Sequence, residues 1–325
     1  LLGAAVLVMY VLILRSLWKL SKELDEAGYG VRPAPVRISD RAVAAALAAL
    51  LALGCACGYL LGGRYPMEWA PVDAGEHSGV EESKARLLAL GVPDYVLNDL
   101  TAEDLAACDG AIQVVVDVDD YPVNSGRVEP YWPGSSAART VYDVKELRIT
   151  GVGVELPGER WMLIQHFLWT TPPGFRGTES IQLWPAYRAG MEGWRSGGTL
   201  TGRVLYDEGG QTYAAPYCFL GEQTFAYDSL FWGQQIRDDL FAAFSLPRDG
   251  ANCRGYLAYP IERVRDGYIV DGWFNYTHQQ SWMQYPVMTA MENQMTNGWN
   301  WEGVFYEVST ALQFYQNEEG VRLLG

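Results

Sequence analysis

The feature that most constrains this chain is an uncharged apolar segment from Ala42 to Gly63, which is bounded by Arg41 and Arg64. As a helix it would extend roughly 30 Å, the thickness of the hydrocarbon core of a bilayer. Residues 42–63 are therefore predicted to be a transmembrane helix. Such a helix would separate a short membrane-proximal segment from a large polar one.

The chain also begins with an uncharged run, Leu1–Leu14. A helix of this length covers only about 21 Å, short of a bilayer. We therefore predict that residues 1–27 hold a partial first transmembrane helix, with its beginning missing, and a cytoplasmic-side extension that ends at Gly28. A trimmed signal peptide is the alternative, but nothing basic precedes the run and no small-residue cleavage site follows it.

The segment between the apolar runs is basic, with Arg15, Lys19, Lys22, Arg32, Arg37 and Arg41. Short loops rich in Lys and Arg remain on the cytoplasmic side of a membrane. Residues 28–41 are thus predicted to be a short cytoplasmic loop, and everything after Arg64 is predicted to be extracytoplasmic. The predicted location is the cell membrane, and the first predicted partner is the lipid bilayer.

The second apolar run carries small residues at a spacing of four, namely Gly54, Gly58 and Gly62. Small residues at this spacing allow two helices to approach closely in lipid. We expect this stripe to pack on the first helix of the same chain. A homodimer contact or a contact with another membrane subunit is the alternative.

Charge is distributed unevenly along the chain. Residues 1–64 have seven basic and four acidic side chains, a net of +3, whereas the remaining residues have 17 basic and 35 acidic side chains, a net of −18. Because an acidic surface repels phosphate backbones, the large polar segment is not expected to bind nucleic acid.

Residues 64–110 are predicted to be a juxtamembrane helical connector. A first helix should end at Gly91, a second should open at Pro93, and a third should begin at Thr101, whose side chain can cap it. This connector is expected to act as a spacer; docking of a partner is the alternative.

From residue 111 the apolar period changes from helical to alternating, and residues 111–325 are predicted to be an antiparallel β-sandwich or jelly-roll-like extracytoplasmic domain. Hairpins are predicted at Pro157-Gly158, Gly209-Gly210 and Asp266-Gly267, the last having the strongest turn sequence. The strand Trp161–Trp169 should be central, because it is apolar on both faces. Ile112–Val118 and Val304–Phe314 should be the first strand and a late strand.

Two departures from regular strands are also predicted. The apolar alternation changes phase near Gly151, which indicates a β-bulge. Helical spacing predicts one or two inserted helices, with these residues on their buried faces: Ile236, Leu240, Phe241 and Phe244 in one, and Met288, Met291 and Met295 in the other.

Three aspartates, Asp117, Asp119 and Asp120, lie at the end of the first predicted strand. Hard cations require clustered oxygen ligands, so these residues are a candidate calcium site, although their spacing does not match an EF-hand. We expect these aspartates to be a solvated acidic strand end that binds no cofactor, and the calcium site is the alternative.

Histidine and cysteine residues do not form a recognisable catalytic motif. His166 shares an apolar face and is expected to be a hydrogen-bonded core residue. Cys218 or Cys253 could in principle pair with His278 as nucleophile and base, but no local signature accompanies them. Among Cys108, Cys218 and Cys253 at most one disulfide can form.

Aromatic residues are abundant, with 12 Trp and 20 Tyr. Rings on the loops of a sandwich can stack on sugars or bind peptides, and they can equally close the ends of the core. The candidate ligand-binding residues are Trp184, Tyr187, Trp194, Trp232, Trp282, Trp299 and Trp301.

The predicted function is a non-catalytic, membrane-anchored, extracytoplasmic binding or sensing protein, with a glycan, peptide or surface protein as partner. One alternative is a cell-surface hydrolase that cleaves glycans through a carboxylate pair. Another is a structural subunit of a membrane complex.

Overall fold

The structure is a computed structural model, and it describes residues 2–29, 46–54, 64–122, 126–130, 138–142, 146–158, 160–185, 194–229, 233–263, 269–279, 306–317 and 320–323. The chain divides into two compact units, Leu1–Gly62 and Gly63–Gly325. Each unit is described by itself.

The first unit is helical in its described residues. Helix α1 spans Leu2–Glu26, and residues 46–54 form the described part of helix α2. Helix α1 ends as predicted before Gly28, which adopts a left-handed conformation (φ +79°) that glycine tolerates. Within the described residues, no helix has both the length and the apolar content needed to span a bilayer. Gly54 lies in α2, whereas Gly58 and Gly62 lie outside the described residues.

The second unit is mainly β, with three short helices near its start: α3 (Glu81–Leu90), α4 (Asp94–Asp99) and α5 (Ala102–Ala107). Its described strands are β1 (Ala70–Pro71), β2 (Gln113–Tyr121), β3 (Gly126–Pro130), β4 (Ala138–Tyr142), β5 (Leu147–Leu156), β6 (Arg160–Trp169), β7 (Thr178–Pro185), β8 (Trp194–Ser196), β9 (Thr201–Glu208), β10 (Gln211–Ala215), β11 (Phe219–Ser229), β12 (Gly233–Ser245), β13 (Ala251–Arg263), β14 (Ile269–His278), β15 (Tyr306–Asn317) and β16 (Gly320–Leu323).

All described strand pairs are antiparallel. One sheet has the order β1-β10-β9-β13-β6-β5-β2, with β8 also paired to β13, and we call it the larger sheet. The smaller sheet has the order β11-β12-β7-β14-β15-β16, and β3 and β4 pair with each other. The predicted mainly antiparallel β architecture is therefore confirmed.

The two sheets pack face to face around one apolar core. Leu163 and Phe167 of the larger sheet and Ile181, Phe244 and Phe274 of the smaller sheet are fully buried in it. Phe167 stacks on Phe244 with ring centroids 5.3 Å apart. This inter-sheet core fits a β-sandwich.

The helices form a third layer on the outer face of the larger sheet. Leu97 and Leu105 are fully buried against Val152, Ile164 and Tyr256 of that sheet. The helix ends lie where the sequence predicts them, because Gly91 caps α3 in a left-handed conformation (φ 109°) and the Thr101 side chain accepts from the Asp104 N–H at 3.2 Å. Residues 81–107 are thus packed on the sandwich rather than held away from it.

Two predicted hairpins are confirmed. Strands β5 and β6 pair across the Pro157-Gly158 turn, and β9 and β10 pair across Gly209-Gly210. Strand β6 is central, with β13 and β5 on either side, and both of its faces are buried. The predicted first and late strands correspond to β2 and β15.

The third predicted hairpin, at Asp266-Gly267, is wrong. Strand β13 belongs to the larger sheet and β14 to the smaller one. Both edges of β13 are already occupied, one by β6 and the other by β9 and β8, so no edge is left for β14. Strand β13 ends at Arg263 in the larger sheet, and β14 begins at Ile269 in the smaller one.

The predicted β-bulge near Gly151 is also wrong. Strand β5 keeps unbroken register with both β2 and β6. Its apolar phase changes because Leu147 and Ile149 face the inter-sheet core, whereas Val152 and Val154 face the helical layer.

The predicted helix over Ile236–Phe244 is wrong as well. These residues lie in β12, which pairs with β11 from Gly233 to Ala243 and with β7 from Leu240 to Ser245. Residues 240–246 are buried on both faces, so their apolar side chains occur at helical as well as alternating spacings. The other predicted helix, at Met288, Met291 and Met295, lies outside the described residues.

Candidate functional site

A polar row crosses three neighbouring strands of the larger sheet. Asp117 of β2 lies opposite Gly151 of β5, and Gly151 lies opposite Gln165 of β6. Adjacent strands are about 4.8 Å apart, so roughly 10 Å separates the backbones of Asp117 and Gln165, with no side chain between them. This row is the floor of a narrow cleft between the sheets, the acidic cleft, lined by Asp117, Asp119, Ile149, Gly151, Gln165, Thr310 and Leu312.

The acidic cleft contains two of the three predicted metal-site aspartates. Asp117 and Asp119 lie two and four residues after Val115, which belongs to the inter-sheet core. Every second residue of a strand points to the same face, so both aspartates face the inter-sheet space. Asp120 points to the opposite face, where Arg148 donates to it from Nε at 2.8 Å and from Nη2 at 3.1 Å. The structure thus brings Asp117 and Asp119 together and separates Asp120 from them.

The two inward carboxylates differ in their surroundings. Asp119 accepts hydrogen bonds from Thr310 Oγ1 of the smaller sheet at 2.8 Å and from the Tyr121 hydroxyl at 3.3 Å. Partial burial raises the pKa of Asp117, the Asp119 carboxylate raises it further, and a backbone hydrogen bond from Val118 acts in the opposite direction. Negative charge is therefore disfavoured at Asp117 as long as no cation is near.

Gln165 is the most unusual residue of the acidic cleft. It is 1% exposed, and neither its Oε1 nor its Nε2 has a hydrogen-bond partner of normal geometry among the described residues. Its amide lies over Gly151, since Oε1 is 3.3 Å and Nε2 3.5 Å from the position that a Cβ on Gly151 would take. Tyr259 is its polar neighbour on the other side, where the amide lowers the phenol's pKa and burial raises it more strongly.

The acidic cleft is small. It holds about 170 Å³ of space, a volume that includes its open side, and the side chains as placed leave no room for a water molecule. Leu312 Cβ of the smaller sheet closes it from above, 3.1 Å from the position of a Cβ on Gly151. A sugar ring or peptide does not fit there without a large rearrangement.

Metal binding by charged and imidazole groups alone finds no support in the described part of the chain. No three His, Cys, Asp or Glu side chains are placed there to hold one ion together. A site in the acidic cleft would have to add the amide oxygen of Gln165 and the hydroxyl of Thr310 to its two carboxylates.

The predicted aromatic ligand site falls largely outside the described residues. Trp184 lies in β7, opposite Trp273 of β14, and Trp194 lies in β8, opposite Arg263 of β13. They thus belong to different sheets. The remaining candidates, Tyr187, Trp232, Trp282, Trp299 and Trp301, are not in the described ranges.

Two histidines are buried and paired with carboxylates. His166 Nε2 is 2.8 Å from Asp99 Oδ2, which confirms the prediction of a hydrogen-bonded core histidine. His278 Nδ1 is 2.8 Å from Glu179 Oε1 between the sheets, where burial raises the pKa of Glu179 despite the neighbouring imidazole. Both pairs are closed off from solvent, so neither can reach a substrate as the molecule stands.

The described thiols are free, Cys108 and Cys253 being buried and Cys218 exposed at its surface. Burial raises the pKa of Cys108 to about 12, and it raises those of Cys218 and Cys253 to about 11. The thiolate is the nucleophilic form of cysteine, and these values disfavour it at neutral pH. The arrangement gives no support to a cysteine nucleophile paired with His278.

No known family model and no curated protein matches this chain. Among solved structures, one described as "pH-induced modulation of Streptococcus parasanguinis adhesion by Fap1 fimbriae" is similar with 10% identity and a TM-score of 0.25, over 52% of this chain and 76% of that one. Another, described as "BspA_C_WT", has 8% identity and a TM-score of 0.22, over 68% of this chain and 93% of that one. Similarities this low carry no argument about fold or function.

Sequence reasoning located the two inward aspartates but missed Gln165 and Thr310. One signal was available for Gln165: it and His166 are the two polar residues within the run Met162–Leu168, which is apolar at its other positions. Thr310 had no such signal, because only the packing of β15 over β2 and β5 brings its hydroxyl to Asp119.

Proposed function

We propose that this chain is a non-catalytic binding or sensing protein that is anchored in the cell membrane by its N-terminal helices and displays its acidic β unit outside the cytoplasm. The observation that carries the proposal is the exposed apolar surface of the first unit. In α2, Leu50, Leu51 and Leu53 are 60%, 71% and 61% exposed. At 100° per residue they point in different directions, and a helix that is apolar all round needs an apolar environment.

Helix α1 supports the same proposal. Leu14, Leu17, Trp18 and Leu20 are all about half exposed or more, and the last three alternate with Arg15, Lys19 and Lys22. Exposed apolar side chains among basic ones suit the membrane surface, where the rings and leucines can enter lipid and the charges can remain in water. The bilayer is therefore the proposed partner of the first unit, and the Gly54/Gly58/Gly62 stripe its proposed helix contact.

The absence of catalysis is proposed from the chemistry of the described groups. The thiols are held protonated, and both carboxylate–histidine pairs are buried. The acidic cleft is too narrow for Asp117 and Asp119 to flank a glycosidic bond, which argues against the hydrolase alternative at this place. The proposed ligand is a glycan or peptide held by the loop aromatics.

Protease treatment of intact cells that express the full chain tests the orientation. We expect the acidic unit to be degraded from outside, and permeabilised cells to show no additional loss. A variant in which Arg32, Arg37 and Arg41 are replaced by Asn is the matched control, because removing basic loop residues should reduce the correctly oriented fraction. An acidic unit that is cleaved only after permeabilisation would contradict the proposal.

Binding is tested with the full chain in detergent on glycan and peptide arrays. Trp232→Ala and Trp282→Ala are expected to weaken any specific signal at least tenfold, whereas Tyr213→Ala, on the β10 hairpin strand, should leave it unchanged. Failure to bind any glycan, peptide or surface protein would remove the proposed ligand class. Measurable turnover of a polysaccharide would favour the hydrolase.

A further inference from the structure

We propose that the acidic cleft is a calcium site in which Asp117, Asp119, the Gln165 amide oxygen and the Thr310 hydroxyl hold one Ca²⁺ between the two sheets. The site is independent of the proposed membrane location. It also differs from the aspartate triplet predicted from the sequence, because Asp120 lies on the other face of β2.

The first argument is the direction of the two aspartates. Asp117 and Asp119 face the inter-sheet space from the strand at the end of the larger sheet. Both carboxylates are partly buried and repel each other, and none of the side chains lining the cleft is basic. Hydrogen bonds from Thr310 and Tyr121 satisfy Asp119 in part but add no positive charge. A cation would compensate both carboxylates at once.

The second and independent argument is Gln165. Buried amide groups nearly always have hydrogen-bond partners, and an exception calls for an unrecorded water or ion. The Gln165 amide lies over Gly151, that is, in the space between its own strand and Asp117. A cation at this position would take the amide oxygen as a ligand and leave the amide N–H₂ to donate to the Tyr259 hydroxyl.

The third argument is the chemistry of the space. Bound bidentately, the two carboxylates would supply four oxygen ligands, and with Gln165 and Thr310 the site would offer six, the lower limit of Ca²⁺ coordination. All four candidate donors are oxygens, as Ca²⁺ requires, and they come from three strands whose side chains can adjust to ligand distances of about 2.3–2.6 Å. Mg²⁺ retains several of its waters and demands stricter geometry, so it fits this cleft less well.

The four proposed ligands determine how tightly Ca²⁺ should bind and which parts of the molecule it would connect. With only two carboxylates, the Kd for Ca²⁺ should lie at about 0.1–1 mM, as in extracellular calcium modules. Because Thr310 belongs to the smaller sheet and the other three ligands to the larger one, bound Ca²⁺ would connect the sheets at one end of the sandwich.

To test the proposal, the purified full chain is first stripped of calcium with a chelator. Calorimetry then measures Ca²⁺ binding, and thermal unfolding is compared with and without 5 mM Ca²⁺. We expect saturable binding of one ion and a higher unfolding temperature with Ca²⁺ than with Mg²⁺. Asp117→Asn and Gln165→Leu should each weaken binding at least tenfold. Asp120→Asn is the matched control, since it removes the same charge from the opposite face of β2, and it should bind Ca²⁺ like the unmodified protein.

The sign of the stability change separates a lost ligand from a damaged fold. In chelator, Gln165→Leu and Asp117→Asn should unfold at the same or a higher temperature than the unmodified protein, because they remove an unpaired amide and an uncompensated charge. In 5 mM Ca²⁺ the unmodified protein should unfold at a higher temperature than either variant. Absence of binding at 5 mM Ca²⁺, or equal binding by all three variants, would overturn the proposal, and an equal response to Mg²⁺ would overturn the choice of calcium.

Discussion

At the scale of single residues, the main structural feature is a buried charge network where the helical layer meets the larger sheet. Asp99, at the end of α4, is 2% exposed and binds His166 through one oxygen and Arg254 Nε through the other, at 2.8 and 2.7 Å. Arg203 donates to the Asp99 backbone carbonyl at 3.0 Å and pairs with both oxygens of Glu76. One carboxylate thus fixes the position of α4 against two strands.

We predict that Asp99→Ala lowers the free energy of unfolding by about 3–5 kcal/mol, because it leaves the buried His166 without its carboxylate and removes one of the two carboxylates that pair with Arg254, the other being Asp207. Denaturant unfolding followed by circular dichroism would measure the change. Asp109→Ala is the control: Asp109 is exposed and accepts only a 3.3 Å hydrogen bond from Ser83, so the loss should be within about 0.5 kcal/mol. A loss below about 1 kcal/mol for Asp99→Ala would mean that the network does not hold the layer.

At the scale of elements, the helical layer completes the sandwich. Its apolar residues cover the outer face of β5, β6 and β13, where Val152, Val154 and Ile164 would otherwise be exposed. Strand β5 therefore has two covered faces and needs small residues where the smaller sheet comes close. A Cβ on Gly153 would lie 3.1 Å from the Phe314 ring, which explains why glycine is found there.

Leu97→Ala is predicted to destabilise the protein by about 2–5 kcal/mol, because the fully buried leucine of α4 would leave a cavity against the sheet. Leu88→Ala, in α3, makes the same chemical change at a position that is 49% exposed, and we expect it to cost less than about 1 kcal/mol. Equal effects of the two substitutions in a thermal unfolding series would argue that the helices do not pack on the sheet.

At the scale of the whole molecule, the determining feature is that consecutive strands often lie in different sheets. Among the described strands of these two sheets, the chain crosses from one sheet to the other after β6, β7, β10, β12 and β13. The consequence is that β14 pairs with β15 on one edge and on the other with β7, a strand distant from it in sequence, rather than with β13.

A disulfide scan tests this topology. Gln182→Cys combined with Asn275→Cys places two thiols opposite each other on β7 and β14. We expect rapid crosslinking on mild oxidation, detected by mass spectrometry. The pair Ala258→Cys and Asn275→Cys would be opposite only in a hairpin centred on Asp266-Gly267, and it should remain reduced. Crosslinking of the second pair in place of the first would reject the described strand order.

Local signals predicted much of the fold correctly. Gly91, Pro93 and Thr101 mark the helix boundaries through backbone conformations and caps that depend only on neighbouring residues. The Pro157-Gly158 and Gly209-Gly210 hairpins were found because each joins strands that are neighbours in one sheet. The same reasoning failed at Asp266-Gly267, because a turn sequence reports the local bend and not which sheet receives the next strand.

The candidate site was predictable only in part. Alternation along β2 places Asp117 and Asp119 on one face and Asp120 on the other, and that much follows from the strand period. Thr310 of β15, which donates to Asp119, and Gln165 of β6, which lines the same cleft, come from separations in sequence that no local pattern spans.

By itself, the sequence determined the helix boundaries, the extended character of most of residues 111–325 and the contrast between a basic apolar start and an acidic remainder, because these depend on nearest neighbours and composition. Only the tertiary structure decided which strands share a sheet, that the three helices lie on the larger sheet, and that Gln165 is buried across Gly151 from Asp117. Those outcomes depend on which apolar faces meet and which strand edges are still free, and both are properties of the folded molecule as a whole.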